Sequence, residues 1–89
     1  MLRGKFKRQS KTKPGWRRYH KKRQNGKCYF CGVPMDENGP WSQATLDHLV
    51  PLSRGGEDHL ENTVAACMRC NKEKGNEGPD WKPKRKSFV

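Results

Sequence analysis

Apolar residues are sparse along this chain and gather into a few short runs. Ala44 to Leu52 alternates and carries Thr, Leu and Val, which predicts a β-strand closed by Pro51 and a turn at Ser53-Arg54-Gly55-Gly56. Asn62-Thr63-Val64-Ala65-Ala66 predicts a second short strand running into Cys67, and Met68 to about Glu73 a short helix stopped by Gly75. Upstream, Trp16 to Gln24 has the makings of two helical turns with Trp16 and Tyr19 on one face, ended by Asn25-Gly26. Those aromatics are expected to pack inward, with stacking of Trp16 or Tyr19 on a nucleobase the less favoured alternative and His20 a solvated residue. Met35 to Pro40 reads as a turn-rich loop. The first thirteen residues show no apolar periodicity and the last ten are rich in Pro and Lys. The predicted organisation is therefore a disordered basic arm over 1–15, a folded domain over 16–79, and an extended or disordered basic tail over 80–89.

Composition sharpens that picture. With 89 residues, 30% of them hydrophobic, the core is too small to hold the fold unaided, so a disulfide or a structural metal is expected. Four cysteines stand as two Cys-x-x-Cys pairs, Cys28/Cys31 and Cys67/Cys70. The charged start Met1-Leu2-Arg3-Gly4-Lys5 is followed by no apolar run, so neither a secretory leader nor a membrane span is expected and the cysteines should be reduced. Two such pairs predict a tetrahedral four-thiolate zinc site, with Gly32 easing the turn after the second ligand. Four thiolates saturate zinc, so this site is structural and any catalysis must come from other residues.

The net charge of +11 is unevenly placed. Residues 1–27 hold twelve Lys or Arg and no acid, residues 28–80 hold all nine acids against four bases, and four further bases follow. Cationic arms around an acidic centre point to a polyanion, most simply nucleic acid, bound in a salt-dependent way. Arg17, Arg18, Lys21 and Lys22 on the first helix, with Arg54, Arg69 and Lys74, are the candidate phosphate contacts.

Within residues 46–74 lie the groups able to do chemistry. Asp47 and Asn71 offer hard oxygen ligands for Mg²⁺ or Mn²⁺, or another divalent ion such as Ni²⁺. His48 has the titration range of a general base. Asn62 is placed to fix His48 or the loop that carries it, and His59 is a second, weaker candidate base or ligand in a loop that otherwise looks solvated. Neighbours on a strand point to opposite faces unless a bulge or strand end intervenes. By spacing alone, Asp47-His48 reads equally well as a surface pair and Asn71 as a polar residue near a helix start.

The run DH-x-VPLSRGG…LENTVAAC-x-x-CN-x-x-KG resembles the HNH endonuclease family in its zinc-containing version, over Cys28 to Gly75. The resemblance implies a small α+β chain with the ββα-metal (His-Me finger) fold, stapled by the four-Cys zinc site. It also implies metal-assisted hydrolysis of DNA phosphodiesters, with His48 as general base, Asp47 and Asn71 holding the catalytic ion, and Asn62 orienting the base. Asn71 stands where a His often does, giving a His-Asn-Asn version. Similar nucleases present their helix to the minor groove and contact mainly backbone, which implies weak sequence preference. One site per chain implies nicking by a monomer, with double-strand breaks needing a dimer. Similar small proteins occur in bacteriophages and mobile elements, where some act with a DNA-packaging terminase, which implies the cytoplasm of a bacterial or phage-infected cell.

The rival reading is a non-catalytic zinc-ribbon nucleic-acid-binding module, for which arms and cysteines suffice. A protein-interaction zinc knuckle comes third, since the two basic arms argue against it as a sole role.

Overall fold

The computed structural model describes residues 13–84, with the side chains of 13 and 14 left out. Most of the expected basic arm and the end of the tail thus lie outside the described residues. The elements are α1 (Lys13–Arg23), β1 (Ala44–His48), β2 (Thr63–Cys67) and α2 (Met68–Lys74), with single 3-10 turns at Pro40–Ser42, Leu52–Arg54 and Leu60–Asn62. Pro14 sits in the first turn of α1, where a missing N–H costs nothing. The helix therefore starts at Lys13, earlier than the sequence pattern indicates.

β1 and β2 form an antiparallel pair in which Ala44 faces Cys67 and His48 faces Thr63. Alternation puts Thr45 and Asp47, which touch α2, on one face of this pair. Thr63, which touches α1, is on the other. The two helices thus cover opposite faces, and every residue of β2 is buried. Cys28, Cys31, Val33, Met35, Ala44, Ala65, Ala66, Cys67 and Cys70 form the core, with Phe30 and Trp81 packed against it. Trp81 meets Phe30 edge-on at 5.2 Å between ring centres. The start of the tail, expected to be extended or disordered, is therefore docked on the core without regular secondary structure.

Two carboxamides complete the sheet. The Gln24 side chain accepts from Ala65 N (3.0 Å) and donates to Ala65 O (2.9 Å), as a neighbouring strand would. Asn62 does the same at Val50, accepting from its N–H and donating to its carbonyl, each at 3.0 Å. Leu49 N–H still donates to Asn62 O (2.8 Å), and from Val50 the Asn62 side chain takes over from the backbone ladder, so regular pairing ends although the alternation runs on to Leu52.

α1 buries Trp16 as expected but turns His20 and Gln24, not Tyr19, inward with it. Trp16 and His20 are buried and Gln24 is half-buried, an i, i+4, i+8 stripe. Tyr19 remains 50% exposed. His20 is not solvated: Thr63 Oγ1 donates to Leu60 O (2.8 Å), so it accepts from His20 Nε2–H at 2.9 Å. Burial first, and the neighbouring Arg23 second, hold the His20 pKa below the ordinary value, so the ring is kept neutral.

Candidate active site

The four cysteines converge from two elements. Cys28 and Cys31 lie on the turn after α1, while Cys67 ends β2 and Cys70 lies in the first turn of α2. All four are buried and free of disulfides, with their sulfurs within 4.8 Å of one another. Cys31 Sγ and Cys67 Sγ are 3.8 Å apart. Four sulfurs about 2.3 Å from a tetrahedral zinc ion would be separated by about 3.8 Å, so the donor set and its spacing fit that ion. Without a cation the cluster is in electrostatic conflict. The Cys70 hydrogen bond, helped by backbone N–H groups, pulls the Cys28 thiol down to about 4. Burial, with the neighbouring sulfurs, pushes Cys67 up to about 11, and Cys70 is pushed up by its hydrogen bond to Cys28 and by burial. A divalent cation at the centre removes that conflict. Cys67 Sγ also accepts from Cys70 N (3.4 Å), so one sulfur caps α2 and sets where the helix starts.

That start fixes Asn71. Thr45 Oγ1 donates to Ala66 O at 2.8 Å and must therefore accept from Asn71 Nδ2, also at 2.8 Å. The amide is thereby oriented, and its Oδ1 has no hydrogen bond among the described residues. Two positions along the same face of β1 lies Asp47, 7% exposed, whose Oδ2 is buried with no hydrogen-bond partner. Its charge is balanced by Lys74 Nζ at 3.6 Å. Burial raises the Asp47 pKa, and Lys74 works against that rise. Asp47 and Asn71 thus both present, on the α2 side of the strand pair, an oxygen without a hydrogen bond among the described residues, the donor type that hard divalent cations take.

His48 points the other way, as strand alternation requires. Its Nε2–H donates to Asp58 Oδ1 at 2.9 Å, and the ring is partly exposed. Because His48 ends β1, both it and Asp47 still border one small cavity of about 240 Å³, with Pro51, Ser53 and Gly75 among its other walls. Asp58 is the residue that the sequence did not single out. It sits in a loop of Glu57, Asp58 and Glu61 that reads as solvated, and only the folded loop brings it to His48. His59 stays in that loop, exposed, with Nδ1 accepting from Glu61 N at 3.3 Å.

Asn62 holds the loop rather than the His48 ring. Besides bonding Val50, its Nδ2 donates to Glu57 O at 2.8 Å, so one amide ties both ends of residues 50–57. Gly56 completes that loop with its N–H on Pro51 O (2.9 Å); a Cβ there would lie 1.8 Å from Val50 O. The Gly-Gly turn is thus a close approach of two backbone segments.

The basic residues divide. Arg17, Arg18, Lys22 and Arg54 are exposed. Lys21 is paired with Asp36 at 2.6 Å, and exposed Arg69 with Glu73 at 3.3 Å. Lys74 does not fit the expected phosphate contact: it is 1% exposed and donates to His48 O at 2.9 Å. Its length lets the ammonium reach the strand beneath α2, where the Asp47 carboxylate and a carbonyl receive it.

A family model described as HNH endonuclease matches residues 28–82, more than half the chain. The chain belongs to the HNH endonuclease family. It is also 42% identical over 62 residues to a CRISPR-associated endonuclease Cas9 from Corynebacterium diphtheriae. That match covers 68% of this chain and 5% of the relative, so the chain corresponds to a small part of the larger protein. The two strands and α2 with their cysteine cluster are the small α+β, ββα-metal arrangement expected of an HNH member. No helix among the described residues is long and apolar enough to cross a membrane.

Proposed function

We propose that this chain is a divalent-metal-dependent DNA endonuclease that nicks duplex DNA with weak sequence preference. The observation that carries the reading is the bare, buried Oδ2 of Asp47 on the strand face shared with Asn71, beside a histidine already held by a carboxylate. Membership of an endonuclease family, and a relative whose name is that of an endonuclease, support nuclease function.

In this reading zinc occupies the cysteine cluster and has a structural role. Asp47 Oδ2 and Asn71 Oδ1 would hold Mg²⁺ or Mn²⁺, which supplies Lewis-acid stabilisation of charge on the scissile phosphate. His48 gives its Nε2–H to Asp58, which leaves Nδ1 to take a proton from the attacking water. The Asp58 carboxylate then pairs with the imidazolium. Asn62 and Gly56 fix the loop that carries Asp58, and Lys74 holds the His48 backbone from below. Exposed Arg17, Arg18, Lys22 and Arg54 are free to meet phosphates, and contacts of that kind give affinity without sequence readout.

The test is nicking of supercoiled plasmid by zinc-loaded protein with Mg²⁺, Mn²⁺, Ni²⁺ or no added ion, beside His48→Ala. Ion-dependent nicking that disappears in the variant, with zinc content and DNA binding unchanged, is expected. Zinc-loaded protein that shifts DNA yet cuts it with none of these ions would instead be a non-catalytic binding module.

A further inference from the structure

A second concavity lies between α1 and the segments flanking the strand pair, on the sheet face away from α2. Its volume is about 450 Å³, and its walls include Tyr19, Arg23, Tyr29, Leu49, Leu60 and Glu61. That size is within the range of small-ligand sites. Tyr19 and Tyr29 are 50% and 52% exposed, and neither belongs to the core. Each meets another ring only edge-on, Tyr19 against His20 and Tyr29 against Phe30, so two half-exposed aromatic side chains line one cleft and can offer stacking surfaces.

The polar groups of the cleft are fixed as well. The hydrogen bond from His20 Nε2–H to Thr63 leaves Nδ1 without a proton, and Nδ1 receives the Arg23 guanidinium at 3.2 Å. Arg23 also lies 6.0 Å from the centre of the Tyr19 ring. This donor fork is therefore positioned, unlike the outward arginines of the same helix. Exposed Glu61 is also among the lining residues, and its carboxylate repels a phosphate but can accept from an amino group. Flat aromatic walls, apolar Leu49 and Leu60, one fixed donor fork and one acceptor carboxylate match a nucleobase edge and face. The backbone attached to that base would meet α1, whose described residues include exposed Arg17, Arg18 and Lys22 and no acid.

We propose that this cleft binds one unpaired DNA base. A paired base keeps its faces in the stack, so the occupant must be an unpaired or extruded nucleotide. Leu49 directly follows His48, so such a nucleotide would lie beside the position at which His48 acts. The inference rests on the nuclease reading and narrows it: the substrate class becomes duplex DNA with an unpaired nucleotide next to the cut.

Fluorescence anisotropy on the zinc-loaded full chain, without added divalent ion so that nothing is cut, tests the cleft separately from the chemistry. The probes are a short perfect duplex and the same duplex with a single-nucleotide bulge. The bulged probe is expected to bind about tenfold more tightly, the worth of one stacked base. Tyr19→Ala and Tyr29→Ala should each remove most of that preference and leave affinity for the perfect duplex and zinc content unchanged, while the Phe variants keep it. Equal binding of the two probes by the native chain, or equal losses on both probes in the Ala variants, would overturn the proposal. A preserved bulge preference in protein that cuts nothing refutes the nuclease reading and leaves the cleft standing.

Discussion

Lys74→Met isolates what a buried ammonium does beneath this site. Methionine keeps most of the apolar length of lysine and removes its charge, so packing changes little. Lys74 is 1% exposed, with Nζ 2.9 Å from His48 O and 3.6 Å from Asp47 Oδ2. Its loss strands a buried carboxylate, for which breaking a buried pair costs about 3–5 kcal/mol. The separation of 3.6 Å is longer than a direct charged hydrogen bond, which places the cost near the lower end. The His48 carbonyl loses its donor at a further cost of about 1 kcal/mol. The two losses share one group and do not simply add, so about 3–4 kcal/mol is expected. In a domain of this size that corresponds to a fall in Tm of at least about 12 °C. Urea and thermal unfolding with zinc saturating and no other divalent ion would measure it. Asp47→Asn in the Lys74→Met background should recover at least half of the loss, because the amide carries no charge to strand. Added Mg²⁺ should stabilise Lys74→Met more than the native chain, since Asp47 then has no other cation. A loss below about 1 kcal/mol, or no recovery with Asn, would show that the ion pair does not govern this region.

Removing zinc, by a strong chelator or by Cys67→Ser, should unfold the chain, because such sites supply on the order of 10–16 kcal/mol; an unchanged far-ultraviolet dichroism spectrum after zinc release would contradict this. His20 has a depressed pKa in the fold and an ordinary value of about 6.5 when unfolded. The unfolded chain therefore takes up the proton first, so stability holds above about pH 6.5 and declines as pH falls below it. His20→Gln should flatten that part of the stability-against-pH curve, and an identical curve in the variant would mean that other groups set it. Asp58→Ala should reduce plasmid nicking by about tenfold, part of the roughly 10²–10⁴-fold that a general base contributes, with zinc content and DNA affinity unchanged; undiminished nicking would make the 2.9 Å contact with His48 incidental.

Local signals in the sequence carried most of the fold. The two Cys-x-x-Cys pairs, the strand run into Cys67 and the short helix after it are all written within a few residues of where they act. Asp47, His48, Asn62 and Asn71 could be named because together they match a family pattern; spacing alone left Asp47-His48 readable as a surface pair and Asn71 as a polar residue near a helix start. What escaped depends on partners distant in sequence. His20 is buried because Thr63, forty-three residues on, accepts from it. Lys74 looks like any surface lysine until the hairpin beneath α2 supplies Asp47 and a carbonyl. β1 ends early because a side chain, Asn62, takes the place of a strand. Asp58 lies among acids and becomes distinctive only when its loop closes on His48.

The cysteine cluster also has a consequence for how the chain assembles and how it can diversify. Each Cys-x-x-Cys turn is a local chelate, so the costly event is bringing the two halves together across the 35 residues between Cys31 and Cys67. Loop-closure entropy for that length is about 3 kcal/mol beyond a constant, and doubling the length would add only about 0.6 kcal/mol. Asp47, His48, Asp58 and Asn62 all lie inside this loop. The clamp therefore tolerates insertion and deletion within the segment it closes, and the length of that segment is limited by the geometry at Asn62 and Gly56 rather than by the entropy of closure.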